Sequence, residues 1–493
     1  MLATGAVCAV VAAIAPAATG AGTQAWATTA IPQATLDIAG SGPRLSALSA
    51  DGRVAVVADP RGVYLFRVPS ERAWGSHSTL RARLRVPSWG LGNLSAVGVS
   101  SDGATALVVV GAVGKRQASV FVFHASSQRA WQSPVNQTAK LTNAARPAGF
   151  GSSVALSSDG ATALIGTPGG ADVFHVARAA WRDSSTPTAT LVADGAGVQE
   201  GGVSTAVALS ADGRTALIGA TSEYTLAGAA FIFRASAADA WLSSATPDAV
   251  LTDGLVGQLG GGFGAAVALS PDGTTALVGA PNLAFASAGD AYVFQVRTPD
   301  SWATTADPDA SLEQASSPYG SGLSSGEPGE IPGWSVALSE DGTALVGEPA
   351  VFGPHGAADL SHVAGRGRSW RSGTISPAEL TNAASPPRDL FGAAVALSSD
   401  GTTALVSSAR GSFVFTRGGS RISSYCYVPY VVGEVVRAAR RAIESTRCRV
   451  GKVSRVGASP VRSGHVISQS PTPGERLAKG TRIDLRVSKG RNH

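Results

Sequence analysis

At 493 residues, with 44% hydrophobic and only 15% charged side chains, the chain is too apolar to be disordered, and too long for one core of roughly 250–300 residues unless it is built by repetition. Its 60 glycines and 27 prolines exclude an architecture of long helices and suit many short strands joined by tight turns. The net charge of +5 is unevenly held: residues 421–493 carry 15 Lys+Arg against 4 Asp+Glu, leaving 24 against 30 for residues 1–420, so a basic C-terminal part follows an acidic body.

The first eighteen residues, MLATGAVCAVVAAIAPAA, read as the apolar core of an export signal followed by small residues suited to cleavage, although no Lys or Arg precedes the run. Residues 1–25 are assigned to that signal. The run is shorter than the roughly 20 apolar residues an uncleaved anchor needs, and no other segment could cross a membrane. Lipid attachment at Cys8 is the lesser alternative, because Val7 stands where such sites take a small residue.

From Asp51 onward an Asp-Gly turn recurs after short apolar runs, at Asp51, Asp102, Asp159, Asp212, Asp272, Asp341 and Asp400, spaced 51 to 69 residues apart. Each unit reads as a strand such as Val267-Ala268-Leu269, a Ser-x-Asp-Gly turn, and a second strand such as TALVG or TALIG. A third strand ends near an aromatic: Phe66, Phe123, Phe174, Phe233, Phe294 and Phe415, with unit six degenerate at Ser361-His362-Val363. A Trp follows, and ten residues beyond it a Leu: Trp74/Leu84, Trp131/Leu141, Trp181/Leu191, Trp241/Leu251, Trp302/Leu312 and Trp370/Leu380. So constant a spacing marks a structural corner rather than a free loop.

Trp26 and Leu36 share that spacing, and WATTAIPQATL at 26–36 closely matches WATTADPDASL at 302–312, so the seventh copy of this element comes first. A ring of four-stranded units must join its last unit to its first without an open strand edge. Residues 34–37 are therefore expected to supply the outer strand missing from the unit that ends at Phe415, which requires cleavage of the signal before Trp26.

Phe263-Gly264 with Gly279-Ala280-Pro281, and in part Phe150-Gly151, Phe391-Gly392 and Gly347-Glu348-Pro349, resemble the FG-GAP repeat family of seven-bladed β-propellers over about 390 residues. The resemblance implies a seven-bladed propeller over 26–417, with its ligand surface on long inter-unit loops such as 313–333. Calcium-binding members of that family present several oxygen side chains along one loop, and hard cations need about six to eight oxygens. Each turn here offers one carboxylate, so Asp and Gly are read as turn chemistry and no metal or other cofactor is expected. The histidines His77, His124, His175, His355, His362, His465 and His493 include no pair at metal-ligand spacing and no nucleophile or base motif. Glu327 and Glu330, the closely spaced carboxylates of the 313–333 loop, are better read as solvated charge than as an acid/base pair.

After a linker at 418–425 the pattern changes. Val432, Val435, Val436, Ala439 and Ile443 recur at helical spacing, predicting an amphipathic helix over 433–446 with its arginines outward. VGKVSRV and HVISQS read as strands, and Ile483, Leu485 and Val487 alternate with Arg482, Asp484 and Arg486 in a last strand with one buried face. The expectation is a small α+β domain, one helix on a three-stranded sheet.

Val428-Pro429, Gly433, Gly451, Gly464-x-Val466-Ile467-x-Gln469-Ser470-Pro471, Pro473-Gly474, Lys479-Gly480 and Val487-Ser488-Lys489-Gly490 resemble a PASTA domain over 426–490. PASTA domains are the small extracellular modules of penicillin-binding proteins and bacterial Ser/Thr kinases. The resemblance implies association with peptidoglycan or a related wall polymer, a spacer or protein contact being the other use of such modules. Cys426 and Cys448, the cysteines outside the signal, are expected to pair as an exported chain permits; two free thiols are the alternative. Arg437, Arg440, Arg441, Arg447 and Arg449 are candidate contacts for an anionic wall polymer, set against the plain reading of a solvated helix face.

The whole reads as a mainly β, secreted or wall-associated binding or adhesion protein rather than an enzyme. The propeller would contact a protein or glycan, with no nucleic acid as partner and no transmembrane segment in the mature chain. The competing reading is an envelope glycan-processing enzyme acting from the propeller loop face.

Overall fold

The computed structural model describes residues 26–36, 45–75, 80–114, 116–145, 149–193, 205–221, 228–254, 262–281, 290–312, 334–349, 356–363, 370, 378–418, 425–457 and 460–490. Residues 1–25, read above as an export signal, with Cys8, the 313–333 loop with Glu327 and Glu330, residues 419–424 of the expected linker, and His77, His355 and His493 lie outside the described residues.

The fold is mainly β with a single α-helix, Val436–Ser445, among the described residues. Seven antiparallel sheets of four strands are described, in six of which the strands follow one another in sequence, as in Ala266–Leu269, Thr275–Ala280, Asp290–Gln295 and Ala310–Ser311. The first strand of each sheet lies against the first strand of the next, and Ala394–Leu397 lies against Leu45–Leu48, so the sheets form a closed ring. The core therefore sits between neighbouring sheets. One apolar cluster, for example, joins Leu48, Val56 and Leu65 of one sheet to Val97 and Val108 of the next and Leu405 of the last.

In every unit the serine two residues before the aspartate donates its Oγ–H to Asp Oδ1, at 2.6 Å from Ser270 to Asp272 and 2.7 Å from Ser398 to Asp400. The same Oδ1 accepts the amide two residues on, as from Thr274 at 3.0 Å, and the serine Oγ accepts the amide five residues on, as from Thr275 at 2.8 Å, or four on in the turn of Ser339, from Thr343 at 2.9 Å. All seven glycines have positive φ, a backbone that side chains resist. The Asp-Gly pair thus shapes the hairpin, and its Oδ1 is already occupied.

The tryptophan closes the same turn. Trp74, Trp131, Trp181, Trp241 and Trp302 donate their indole N–H to the carbonyls of Gly52, Gly103, Gly160, Gly213 and Gly273, at 2.7–2.9 Å. Between the indole and the leucine, the connection touches the outer strand of the preceding sheet through isolated parallel bridges: Val135 with Leu84, Ser184 with Leu141, Ser244 with Leu191 and Thr305 with Leu251. The ten-residue spacing is the length that reaches from a turn, past the neighbouring sheet, to the chain's own outer strand.

The paired glycine signals have a packing cause. Gly264 donates its amide to the Gly279 carbonyl of its own sheet at 3.0 Å, while its carbonyl lies where a Cβ on Gly219 of the preceding sheet would come within 2.2 Å. Gly392 approaches Gly347 in the same way, at 2.1 Å from a Cβ placed there. Neighbouring sheets come this close only without side chains at those points.

The N-terminal segment completes the ring. Ala34–Leu36 pairs antiparallel with Ser412–Thr416, with Leu36 opposite Ser412. Trp26 donates to the Gly401 carbonyl at 3.0 Å, and Thr29 bridges to Leu380 of the preceding sheet. Arg417, its side chain 7% exposed, stacks over the Trp26 ring and donates to Asp341 Oδ2 at 2.6 Å and to the Gly401 carbonyl at 2.7 Å. A chain beginning at residue 37 leaves the edge of Ser412–Thr416 unpaired and is expected to self-associate. Light scattering after size exclusion should show larger, broader masses than for a chain beginning at residue 26, and identical profiles would refute the closure.

Candidate functional site

The C-terminal module has two small sheets, one more than the sequence led us to expect. Arg449–Val456 runs parallel to Arg482–Ser488, which is antiparallel to Val466–Ser470; separately, Tyr425–Tyr427 pairs with Arg476–Ala478. The helix begins at Val436 rather than at 433, because Gly433 has a φ of +92° and Val435 is extended. Ala439 and Ile443 bury against Val466, Ile483, Leu485 and Val487. The Cys426–Cys448 disulfide, with a Cα separation of 4.8 Å, ties the first strand to the end of the helix within that core. Gln469 holds the entry segment, donating to the Pro429 carbonyl and accepting the Val431 amide, both at 2.7 Å.

The five candidate arginines do not form one patch. Arg437, Arg440 and Arg441 are exposed along the outer stripe of the helix, with exposed Glu444 among them and exposed Glu434 just before the helix. Arg447 is half-buried at the helix end with a φ of +63°. Arg449 lies beside Arg482 on neighbouring strands, on the side of the sheet away from the helix. The alternation of Arg482, Asp484 and Arg486 in the sequence signals that face, but only the strand register places Arg449 on it.

The module rests on the ring at its closing segment. Arg476 donates to the carbonyls of Pro32 at 2.7 Å and Gln33 at 2.9 Å, immediately before the closing strand, and stacks on Tyr425. Tyr427 donates its hydroxyl to Asn382 Oδ1 at 2.8 Å, and the Tyr430 amide donates to the Ala383 carbonyl at 2.7 Å. Nothing in the sequence pattern marked these contacts.

Within the ring, three histidines have the same structural partner. His124, His175 and His362 pair through Nδ1 with the hydroxyls of Thr105, Thr162 and Thr343 at 2.9–3.0 Å, each across a strand pair. Among the described residues no group of three or more His, Cys, Asp or Glu side chains is placed to hold a metal ion.

Glu71 has a displaced proton equilibrium. It lies between the first and last sheets, accepts the Thr402 hydroxyl at 2.7 Å, and has its second oxygen buried without a hydrogen-bond partner. Burial, then the charge of Asp400, raise its pKa from the ordinary 4.5 to about 7. Gln128, three residues before its tryptophan as Glu71 is before Trp74, instead donates its amide to Asp51 of the preceding sheet at 2.7 Å. Glu71 is an acid where a neighbouring unit has the matching amide.

Comparison with known proteins separates the two parts of the chain. The ring has the fold of propeller-like structures. Hydrazine synthase of Kuenenia stuttgartiensis aligns over 77% of this chain and 97% of its own, with a TM-score of 0.50 and 14% identity, a likeness of fold alone. A chain in the crystal structure of a mitotic checkpoint complex aligns over 81% and 99%, at a TM-score of 0.47 and 15% identity. The C-terminal module is a PASTA domain, matching that family over residues 427–489. Over 63 residues the chain is 43% identical to the "Probable serine/threonine-protein kinase" of Clostridium acetobutylicum, a stretch covering 13% of this chain and 10% of that protein.

Two substitutions test this geometry. Folded protein holds the Glu71 proton up to about pH 7, whereas the unfolded chain releases it near 4.5, so the contribution of this group to stability is fully present below the lower value and is lost as pH rises through the upper one. Glu71→Gln is expected to change the thermal midpoint little below pH 4.5 and to raise it increasingly up to about pH 7, with a plateau above; a pH-independent difference would refute the protonated acid. Arg476→Ala removes two charge-assisted hydrogen bonds and is expected to loosen the closing segment by about 2 kcal/mol, or roughly thirtyfold faster amide hydrogen exchange at Ala34–Leu36.

Proposed function

We propose that the protein is an exported, wall-associated binding protein. In this reading the ring is a seven-bladed propeller of the FG-GAP type, offering a recognition surface to a protein or glycan, and the PASTA domain holds it at peptidoglycan or a related wall polymer. The observation that carries the reading is the PASTA match over residues 427–489, in a module with a continuous apolar core and a large excess of Lys and Arg. The resemblance of residues 1–25 to an export signal and the disulfide support a location outside the cytoplasm. Among the described residues, no helix is long and apolar enough to cross a membrane.

The protein acts by binding rather than by catalysis. That view is supported by the commitment of His124, His175 and His362 to threonines, and of the Asp-Gly carboxylates to their own turns. Retention on isolated cell-wall sacculi tests the role of the module. The intact mature chain should be retained, whereas a chain ending at Ser420 should wash through. Equal retention of the two would remove the module from the mechanism.

A further inference from the structure

The outward side of the module's three-stranded sheet carries charge that folding does not require. On Arg482–Ser488, Ile483, Leu485 and Val487 turn to the helix, while Arg482, Asp484 and Arg486 are exposed on the opposite side. Arg449 is the register neighbour of Arg482, and Lys452 is exposed at the irregularity between Val450 and Val453. Like charges directly across neighbouring strands destabilise a sheet. Among the described residues, none of these four cations is in an ion pair.

The acid in their midst is committed to the backbone. Asp484 Oδ1 accepts the Lys452 amide at 2.7 Å and lies over Gly451, where a Cβ would stand 2.1 Å from it. Asp484 thus shapes the irregular strand, with one carboxylate set against four cations. The helix stripe differs, since Glu444 stands one turn from Arg440 and Arg441 and offsets them. The large exposed apolar side chains among the described residues, Leu80, Leu242 and Val435, are not on this face, which gives no hold to an apolar partner or a bilayer interior.

We propose that this sheet face, formed by Arg449, Arg482, Arg486 and Lys452, binds a linear polymer of phosphate diesters. Neighbouring strands set Arg449 and Arg482 about 5 Å apart at the backbone, close enough for two guanidinium forks to share one phosphate. Arg486 lies about 13 Å further along the strand and meets a later phosphate of the same chain. The inference rests on the wall-binding reading and narrows it: the cations of this face hold a phosphate-bearing polymer, not the uncharged glycan.

The test uses full-length protein and poly(glycerol phosphate) of defined length, titrated at low salt, with charge-matched variants on the two faces. Arg482→Gln with Arg486→Gln is expected to weaken binding roughly tenfold or more, and Arg437→Gln with Arg440→Gln by less than about threefold. Asp484→Asn keeps an oxygen for the Lys452 amide and should tighten binding about threefold, whereas Glu444→Gln should leave it unchanged. Each comparison holds net charge constant, so equal effects from the two faces would overturn the assignment to the sheet. No binding by the unaltered protein, or equally tight binding of polyglutamate of the same charge, would overturn the phosphate diester. Sacculi stripped of anionic polymer separate the two ideas. Retention there without binding to the phosphate polymer sinks this inference and leaves wall association standing.

Discussion

A three-stranded sheet at the end of a ring exposes a row of backbone donors and acceptors, and the segment from Trp26 to Leu36 covers them. Everything else in the molecule leans on that pairing. The last turn is held at Gly401 by the Trp26 indole and Arg417 together, and Asp341 of the neighbouring sheet is drawn in through the same guanidinium. The PASTA domain then sits on Pro32 and Gln33, on the chain just before the closing strand. The two ends of the protein meet at one seam, although 443 residues separate Gln33 from Arg476 in sequence.

Repetition lets few residue types do the work of a large core. Each sheet is narrow and its inner strands are mostly Ala, Val and Leu, so the apolar clusters form only where two sheets face each other. The turns add a second tie. The residue between Ser and Asp joins its backbone to the next turn, from Ser158 to Ala211, Ala211 to Pro271, Glu340 to Ser399 and Ser399 to Ala50, at 2.8–2.9 Å. Pro271 has no amide to pass the chain of bonds to Glu340, and Ala50 and Ser101 do not make the bond either, so the ties join four of the seven turns to the next.

Much of this was legible because repetition exposes constraint. A fixed Trp-to-Leu interval requires a fixed path, and the structure shows that path crossing the neighbouring sheet. An Asp-Gly with a preceding serine reads as a turn in one copy and as little else in seven. The aromatic of the third strand faces an alanine of the second, as Phe294 faces Ala276, and unit six puts Ser361 opposite Ala344 where its pattern breaks. What stayed hidden was long-range and unrepeated. The seat of Tyr427 on Asn382 joins residues 45 positions apart that belong to no shared period, and the partnership of Arg449 with Arg482 depends on a parallel register no local pattern specifies. The helix boundary was misjudged for a local reason, since apolar periodicity continues through Val432 while the backbone at Gly433 and Val435 is not yet helical.

The seat of the module has a mechanical meaning. Because Arg476 grips the chain just ahead of the closing strand and Tyr427 grips the adjoining sheet, a pull on the C-terminal domain is divided between the two sides of the seam. Tension on an anchored module would reach Ala34–Leu36 first, and a force large enough to strip that strand would unzip the ring at its one non-sequential joint. The ring's non-sequential joint and the module's point of attachment are the same place.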